Sequence, residues 1–260
     1  MTPPDPPPLR PAPGVEAPLP PAARTAEVRS MFSQIVPRYD LMNRLMTGGM
    51  DGRWRRRAVR AALEGTGARG GIVLDLGTGT GDLARDLRRA GVARVVASDF
   101  ARPMLVAGRR KPGLLDDAGV HWLLGDALQL PFADDSFDAV TSGFLLRNLA
   151  DLPAAFGEML RVLRPGGRLV ALDMTHPPRG TWGALTRLGV ERLVTPLAGW
   201  ASGRRSAYAY LRRSLEGHPD AEAMVALLRA AGAAEAGYER MGLGAVALHT
   251  ARKAAGEQQP

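Results

Sequence analysis

The chain has 260 residues, 45% of them hydrophobic, and is long enough for one α/β domain with some additional elements. Because it contains no cysteine, disulfides, thiolate nucleophiles and cysteine-ligated metals are excluded. No apolar run approaches the roughly 18 residues of a membrane span, and no secretory signal is recognisable. A cytoplasmic location is therefore expected.

The basic residues are almost all arginines. The formal net charge is +8, and of the 34 basic residues only Lys111 and Lys253 are lysines. Heavy use of Arg, Ala, Gly and Pro is typical of a GC-rich genome, so the charge alone is weak support for a nucleic acid or an anionic membrane as partner. Composition leaves both partners open.

The N-terminal segment is rich in proline. Residues 1–23 hold 10 of the 21 prolines and lack an apolar period, which predicts a disordered tail over 1–24. A single domain is expected over 25–253, followed by a flexible tail at 254–260.

Two helical stretches are predicted at the start of this domain, up to Leu63. They are broken around Pro37 and around Thr47-Gly48-Gly49, where proline and glycine interrupt the helical pattern.

Strands and helices then alternate along the chain. Five strands are predicted, at 71–76, 94–99, 120–124, 137–143 and 168–174, with helices between them. The clearest helix is 150–164, whose apolar residues fall on one face: Leu152, Ala155, Phe156, Met159, Leu160 and Leu163. Arg-Pro-Gly-Gly at 164–167 should stop this helix. This rhythm favours an α/β fold with a mainly parallel, doubly wound sheet.

The last third of the chain departs from this rhythm. Residues 175–215 mix Trp, Pro, Gly and Arg, which predicts an inserted helical segment acting as a lid. A helix at 219–231 and two strands, at 234–241 and 243–252, should then complete a seven-stranded sheet with a C-terminal antiparallel hairpin.

A glycine-dense turn follows the first strand. Residues 73–82 read Val-Leu-Asp-Leu-Gly-Thr-Gly-Thr-Gly-Asp, and a helix should begin near Thr80. Gly77, Gly79 and Gly81 allow positive φ angles and let the backbone approach a ligand closely. Strand, glycine turn and helix together indicate a Rossmann-like nucleotide site, although the spacing differs from the dinucleotide pattern G-x-G-x-x-G.

Carboxylates at the ends of the next two strands support a nucleotide ligand. Asp99 follows Gly81 by 18 residues and could accept hydrogen bonds from both hydroxyls of a ribose. Asp126, in Gly-Asp-Ala after the third strand, could meet an adenine edge. The alternative is that both aspartates cap the helices that follow them.

This combination resembles the class I S-adenosylmethionine-dependent methyltransferases over about 70–252. Leu-Pro-Phe-x-x-x-x-Phe-Asp at 130–138 and Leu-Arg-Pro-Gly-Gly at 163–167 are also similar. The resemblance implies a Rossmann-like class I methyltransferase fold with S-adenosylmethionine as methyl donor and no metal. The implied cofactor-binding residues are Gly77, Gly79, Thr80, Asp99, Asp126, Ala127 and Ser142.

Two further blocks resemble the ubiquinone/menaquinone biosynthesis C-methyltransferase family. Within 28–57 the chain carries Met-Phe-x-x-Ile-x-x-x-Tyr-Asp-x-x-Asn, and 142–151 read Ser-Gly-Phe-Leu-Leu-Arg-Asn-Leu-Ala-Asp. The likeness extends through Tyr208-x-Tyr210-Leu211 to Gly244 and His249. It therefore spans about 25–253.

The chain departs from this family pattern at two places. Leu145 replaces the usual glycine of Phe-Gly-Leu-Arg-Asn, and Leu-Asp-Met-Thr at 172–175 stands for Leu-Glu-Phe-Ser. We expect neither departure to touch the cofactor loop, so both should affect the substrate pocket.

The implied reaction moves a methyl group to a ring carbon of a reduced polyprenyl quinol, converting demethylmenaquinol to menaquinol. Arg147 would stabilise the developing phenolate or orient a water, Asn148 would hydrogen-bond a quinol oxygen, and Tyr39 would close the pocket. Alternatively Arg147 pairs with a surface acid, Asn148 caps the helix at 150, and Tyr39 only packs.

Other polar residues have a structural interpretation first. His176 and His249 are alternative bases, although single histidines are more often structural, and Asp40 and Asn43 are expected to fix the N-terminal helices. The Arg53–Arg57 run with Trp54 is expected to be a solvated helix face, with contact to anionic lipid headgroups as the alternative.

Several functional alternatives stay open. They are C-methylation of a ubiquinone-pathway benzoquinol, methylation of another small phenol or of RNA, and a non-catalytic cofactor-binding role. No nucleic acid partner is expected, because no Asn-Pro-Pro-Tyr-like tetrad or aromatic-rich basic platform is present. A polyprenyl quinol, transient contact with the inner face of the membrane, and a homodimer are the expected associations.

Overall fold

The computed structural model describes residues 36, 39–178, 214–215 and 217–256. The predicted Pro-rich tail, the predicted helix before Pro37 and most of the predicted insertion lie outside the described residues, as do Tyr208, Tyr210 and Leu211. The helices are α1 (Tyr39–Met46), α2 (Asp51–Leu63), α3 (Asp82–Arg89), α4 (Arg102–Arg109), α5 (Leu152–Val162) and α6 (Ala221–Ala230). The strands are β1 (Ile72–Leu76), β2 (Arg94–Asp99), β3 (Val120–Leu124), β4 (Phe137–Gly143), β5 (Leu163–Met174), β6 (Glu235–Met241) and β7 (Val246–Arg252).

The strands form one seven-stranded sheet in the order β3-β2-β1-β4-β5-β7-β6. The first five strands in the chain are parallel, whereas β7 runs antiparallel to both β5 and β6. This confirms the predicted parallel sheet with a C-terminal hairpin. The strand order reverses between β1 and β4, and ligands of such sheets bind at this switch point, beyond the carboxyl ends of the strands.

Most predicted boundaries agree with the structure, but the start of β5 does not. The Arg-Pro-Gly-Gly segment was predicted to be a turn before a strand at 168, whereas β5 already begins at Leu163. Leu163 pairs with Phe137, and the next pair joins Arg168 to Ala139, so the intervening residues form a bulge. A bulge accommodates extra residues within a ladder and tolerates the positive φ of 74° at Gly166.

Helices cover both faces of the sheet. On one face α2 and α3 contribute buried apolar residues that pack with the strands, among them Trp54, Ala58, Leu83 and Leu87. On the other face α5 and α6 do the same through Phe156, Met159, Met224 and Leu228. Burial of each large side chain stabilises the fold by about 1.5–3 kcal/mol. The packing of α2 thereby places the short α1 beside the turn that follows β1.

Candidate functional site

The turn after β1 depends on its glycines for both conformation and space. Gly77, Gly79 and Gly81 have positive φ angles of 65°, 56° and 81°. A Cβ atom at Gly77 would lie 2.8 Å from Leu145 Cδ1, and one at Gly81 would lie 2.7 Å from Trp122 Cη2. Any side chain at these two positions would therefore meet packed neighbours as well as backbone strain.

Leu145 packs directly on this turn, so the expectation that it would not touch the cofactor loop is wrong. Its methyl groups cover Gly77, and it lines the cleft together with Asp99 and Asn148. A glycine at position 145 would leave that space open. The physical effect of this departure therefore falls on the cofactor side of the site as well.

Asp99 is the buried carboxylate at the end of β2. Its Oδ2 accepts a hydrogen bond from Gly79 N at 2.8 Å, and its Oδ1 accepts one from Ala101 N at 2.8 Å. Burial raises the pKa of Asp99, against the opposing effect of these backbone N–H groups and that of Phe100. The N-cap of α4 is Ala101, so the alternative in which Asp99 caps this helix is wrong.

Asp126 and Ala127 follow β3 at the same edge of the sheet. Asp126 is exposed, and its Oδ1 accepts a hydrogen bond from Leu128 N at 3.0 Å in a tight turn. No helix begins between residues 125 and 136, which are all described, so the capping alternative is wrong for Asp126 as well.

These strand ends form one cleft of about 470 Å³. Its lining includes Gly77, Asp99, Asp126, Ala127 and Asn148. The predicted cofactor residues from β1, β2 and β3 are thus brought together. A glycine backbone, a carboxylate with ordered oxygens and an apolar wall suit a ribose attached to a flat base, so these residues fit an S-adenosyl group.

Two of the predicted cofactor residues, Ser142 and Thr80, do not line this cleft. Ser142 is 2% exposed within β4 and does not line this cleft. The Thr80 hydroxyl donates to Asp40 Oδ1 at 2.6 Å and accepts from Lys111 Nζ at 2.9 Å. Asp40 thus ties α1 to the glycine turn, in agreement with the expectation that it fixes the N-terminal helices.

Tyr39 closes the cleft from the opposite side. A Cβ atom at Gly79 would lie 3.5 Å from Tyr39 Cε1, so the ring lies over the glycine turn. Tyr39 lines a second part of the cleft with Asp99, Phe144 and Asn148. Burial raises the pKa of Tyr39 above its ordinary value, so the hydroxyl stays protonated at neutral pH.

Arg147 lies in a single 3-10 turn, Leu146–Asn148, directly after β4. Its Nη1 donates to Asp173 Oδ1 at 2.6 Å, its backbone N donates to Asp173 Oδ2 at 3.2 Å, and its guanidinium carbon lies 5.5 Å from the centre of the Phe144 ring. Asp173 is fully buried. Arg147 therefore does pair with an acid, but with a buried one and not with a surface residue. It lines neither part of the cleft that contains Asp99, but a neighbouring depression with Asp151 and His218.

Asn148 lines both parts of the cleft, and its Nδ2 donates to Phe144 O at 3.1 Å. The alternative in which it caps the next helix is wrong. The N-cap of α5 is Asp151, whose side chain accepts from Ala154 N at 2.9 Å.

Asp75 is a buried acid beside the glycine turn, and no role was predicted for it. Thr78 Oγ1 donates to its Oδ2 at 2.5 Å, and Thr141 Oγ1 donates to its Oδ1 at 3.1 Å. Burial raises the pKa of Asp75 to about 7 despite these two hydrogen bonds. Its place inside a strand of buried apolar residues was the available signal.

Neither histidine considered as a base lines the cleft formed by these strand ends. His176 Nε2 lies 2.9 Å from His218 O, and His249 is 1% exposed within β7. Burial lowers the pKa of His249 to about 4, so it is neutral at physiological pH. The positions of both histidines therefore favour a structural role over that of a catalytic base.

The arginine run of α2 is only partly a solvated face. Arg53 and Arg56 are exposed, as expected. Trp54 is instead buried in the core, and Arg55 forms ion pairs with Asp51 at 2.6 Å and Asp86 at 3.1 Å. The expectation was wrong for these two because a helix that packs on a sheet turns every third or fourth side chain inward.

Within the described residues, no helix has both the length and the apolar character needed to cross a membrane.

Solved structures with a similar fold belong to proteins of different activities. The [4+2]-cyclase SpnF matches with a TM-score of 0.57 and 20% identity, over 89% of this chain and 97% of its own. Haemonchus contortus phosphoethanolamine N-methyltransferase 2, solved with S-adenosylhomocysteine, matches with a TM-score of 0.56 and 18% identity, over 76% and 52% of the two chains. At such identity the likeness establishes the fold alone.

Sequence relatives are much closer. A demethylmenaquinone methyltransferase of Thermus thermophilus is 50% identical over 84% of this chain and 98% of its own length. One of Beutenbergia cavernae is 45% identical, over 89% and 92%. A ubiquinone/menaquinone biosynthesis C-methyltransferase UbiE of Desulfotalea psychrophila is 40% identical, over 85% and 88%.

The sequence model of the ubiE/COQ5 methyltransferase family matches residues 22–253, which includes the whole predicted domain. The resemblance read from the Tyr39 and Arg147 blocks is thereby confirmed. The chain belongs to the ubiE/COQ5 methyltransferase family and is an S-adenosylmethionine-dependent methyltransferase.

Proposed function

We propose that the chain methylates a ring carbon of demethylmenaquinol, the reduced form of demethylmenaquinone, and so produces menaquinol. The observation that carries the proposal is the convergence of Tyr39 and Asn148 on the cleft lined by Gly77 and Asp99. The names of the relatives that are 50% and 45% identical support the same substrate.

S-adenosylmethionine supplies an electrophilic sulfonium methyl group when bound. We propose that Asp99 accepts hydrogen bonds from the ribose hydroxyls, because both of its oxygens are already oriented by Gly79 N and Ala101 N. Gly77 and Gly79 allow the backbone to approach the aminoacyl end, while Asp126 and Ala127 line the region assigned to adenine. Thr80 would then act through its place in the turn, since its hydroxyl is bonded to Asp40 and Lys111.

The acceptor must be the quinol, since a quinone ring carbon is itself electrophilic. Its hydroxyl, with an ordinary pKa near 10, must lose a proton for the carbon to become nucleophilic. Transfer of the methyl group leaves S-adenosylhomocysteine, and the ring carbon then loses its own hydrogen as a proton, which restores the aromatic quinol. Arg147 would provide hydrogen-bond donors to the developing phenolate or to a water that accepts the proton. Because Asp173 neutralises Arg147, this contribution comes from directed donors and not from net positive charge.

Asn148 and Tyr39 would orient the ring. The Asn148 amide is fixed through its bond to Phe144 O, and the Tyr39 hydroxyl is protonated at neutral pH. Both can therefore hydrogen-bond quinol oxygens in a defined direction, which aligns the ring carbon with the methyl donor.

The test is an anaerobic incubation of the protein with S-adenosylmethionine and reduced demethylmenaquinone, with mass spectrometry of the extracted quinone. We expect a gain of about 14 daltons, the mass of one CH₂, with the reduced acceptor and none with the oxidised one. Asn148→Ala should lower kcat by a larger factor than it weakens S-adenosylhomocysteine binding. No product with the reduced naphthoquinol, despite cofactor binding, would contradict the proposal.

A benzoquinol is the second candidate substrate, supported by the ubiquinone/menaquinone name of the relative that is 40% identical. The same assay with a reduced demethylated benzoquinol distinguishes the two. A kcat/KM that is higher for the benzoquinol would assign the chain to that substrate. Product with a small phenol or with RNA, but with neither quinol, would support the remaining alternatives.

We further propose that α1 and α2 bring the protein to the inner face of the membrane, where a polyprenyl substrate resides. Exposed apolar and basic side chains occur on these two helices and on the turn between them: Leu41, Arg44, Met50, Arg53, Arg56 and Arg60. Basic residues are attracted to anionic headgroups by about 1 kcal/mol each.

Vesicle sedimentation tests this contact. The protein should bind vesicles with anionic lipid but not neutral ones, and Arg53→Gln with Arg56→Gln should weaken binding. The matched control is Arg109→Gln with Arg110→Gln, an exposed pair at the end of α4. Equal binding by both double variants would contradict the assignment. A homodimer stays a prediction, which analytical ultracentrifugation of the purified chain tests.

A further inference from the structure

Lys111, one of the two lysines in the chain, has three side-chain oxygens around its ammonium group at the edge of the glycine turn. Its Nζ lies 2.6 Å from Asp82 Oδ1, 2.7 Å from Asp40 Oδ2 and 2.9 Å from Thr80 Oγ1. Thr80 Oγ1 in turn donates to Asp40 Oδ1 at 2.6 Å. Two hydrogen bonds, Lys111 to Thr80 and Thr80 to Asp40, and the ion pair of Lys111 with Asp40 therefore close a ring of three side chains.

The ring, together with Asp82, which is hydrogen-bonded to Lys111, joins four parts of the fold. Lys111 follows α4, Thr80 belongs to the turn after β1, Asp82 begins α3 and Asp40 lies in the first turn of α1. An isolated helix of eight residues is not stable in water, so the position of α1 depends on contacts of this kind.

Tyr39 immediately precedes Asp40, and its ring covers Gly79 at the cleft. Fixing the Asp40 carboxylate to the turn therefore fixes the Tyr39 ring above the same turn. Lys111 itself does not line the part of the cleft that contains Asp99. Its influence on that part has to pass through Asp40 and α1.

We infer that the Asp40–Thr80–Lys111 ring is a latch that holds α1 and Tyr39 closed over the bound S-adenosyl group, which makes Lys111 a positioning residue for cofactor retention. The inference rests on the cofactor and on its place in the cleft, and does not depend on the identity of the methyl acceptor.

The contact of Lys111 with Asp82 is stronger than its contact with Asp40. Burial alone would raise the pKa of Asp82, but the hydrogen bond and charge of Lys111, together with the charges of Arg55 and Arg85, outweigh burial and lower it. The Asp82 side chain is 25% exposed, whereas that of Asp40 is 45% exposed. Exposed ion pairs are weak and screened by salt. The Lys111–Asp82 contact is therefore the fixed anchor, and the bonds to Asp40 are the ones that break when the cleft opens.

A lysine suits this position better than an arginine. Its compact ammonium group can point three donors at three acceptors that surround it, while a planar guanidinium presents its donors as a rigid fork. Lys111→Arg should therefore fail to restore the latch although it keeps the charge.

The dissociation rate of S-adenosylhomocysteine, measured by stopped-flow displacement, tests the inference without any methyl acceptor. Lys111→Met should release this ligand about tenfold faster, since the ion pair with Asp40 of α1 and the hydrogen bond to Thr80 are lost. Hydrogen exchange of the amides of residues 39–46 should rise in parallel. In steady state, the KM for S-adenosylmethionine should increase more than kcat decreases.

Lys253→Met is the matched control. Lys253 Nζ also has three acceptors, Asp135 Oδ1 at 2.7 Å, Leu163 O at 2.8 Å and Arg161 O at 3.1 Å, but they lie at the opposite edge of the sheet. This variant should release S-adenosylhomocysteine at the wild-type rate, and equal acceleration in both variants would overturn the inference.

Asp40→Ala gives an independent route should Lys111→Met fold poorly, because it removes only the exposed end of the latch. It should accelerate release to a similar extent, and the double variant should be no faster than either single variant. Wild-type release rates in folded Lys111→Met or Asp40→Ala would overturn the inference. Because no acceptor is present, this result stays separate from the outcome of the quinol assay.

Discussion

The Asp99 carboxylate is held in position by backbone N–H groups and not by another side chain. Gly79 N and Ala101 N each hold one of its oxygens, so the carboxylate keeps a fixed direction although it is 7% exposed. A fixed, poorly solvated carboxylate binds hydroxyl groups more strongly than a mobile one on the surface. The carboxylate also links the turn after β1 to the end of β2.

Asp99→Ala should weaken S-adenosylhomocysteine binding by about 2–3 kcal/mol, or roughly 30-fold to more than 100-fold, since hydrogen bonds to a charged group are lost. Isothermal titration calorimetry measures the change. Glu235→Ala, at an exposed position in β6, serves as the control. Unchanged affinity in Asp99→Ala would mean that other residues hold the ribose.

Asp75 should make the protein less stable as the pH rises. Its pKa is raised from 3.8 to about 7 by burial, so the folded state keeps a proton that the unfolded state releases above pH 3.8. The resulting stability is fully present below that value and is lost as the pH approaches and passes 7.

Asp75→Asn should therefore be increasingly more stable than the wild type between pH 4 and pH 7, by more than about 2 kcal/mol at pH 8. Urea unfolding of both proteins at several pH values measures the difference. Glu235→Asn is the matched control, whose difference from the wild type should stay small throughout. A constant difference between the wild type and Asp75→Asn across this range would show that Asp75 does not carry the pH dependence.

At the scale of elements, α2 connects the site to the sheet through Trp54. A Cβ atom at Gly242 would lie 2.8 Å from Trp54 Cζ2, so the indole packs against the residues between β6 and β7 as well as against the core. The position of α1 follows from this packing, because the Thr47–Met50 turn joins the two helices directly.

Trp54→Ala should lower the free energy of unfolding by about 3–5 kcal/mol, since it removes a large buried side chain. Denaturant unfolding measures this loss. The neighbouring Arg53 is exposed, so Arg53→Ala should change stability by less than about 0.5 kcal/mol. Similar losses in both variants would contradict the different placement of the two side chains.

Elements defined by local sequence could be predicted, and contacts between distant elements could not. β2, β3 and β4 coincide with their predicted ranges because branched apolar runs end at clear polar residues. The bulge in β5 was missed because Pro-Gly-Gly has the local pattern of a turn, and only its pairing with Phe137 makes it part of a strand.

The candidate site divides in the same way. Gly77, Gly79 and Asp99 could be predicted, since a glycine turn and a strand-end acid are local patterns. The pairing of Arg147 with Asp173 joins residues 26 positions apart, and the Lys111–Thr80 bond joins residues 31 apart. Such partners are determined by sheet order and helix packing, so periodicity and motif spacing do not reveal them.

At the scale of the whole molecule, the fold provides a cofactor cleft and leaves the chemistry to residues after β4 and before β1. SpnF, a [4+2]-cyclase, shares this fold at 20% identity. The side chains to which we assign the methylation, Tyr39, Arg147 and Asn148, accordingly lie outside the sheet, in α1 and in the turn after β4.

Asp75 and His249 are two residues of the sheet with shifted pKa values, and their protonation changes in opposite directions when the chain unfolds. In the native state between pH 4 and pH 6.5, Asp75 holds a proton and His249, with a pKa of about 4, does not. Unfolding reverses both preferences, so a proton leaves the carboxylate while another enters the imidazole. Their contributions to proton uptake cancel over this interval, and together the two groups leave stability nearly independent of pH there. Mild acidification should thus cost this protein little stability through Asp75 and His249 taken together.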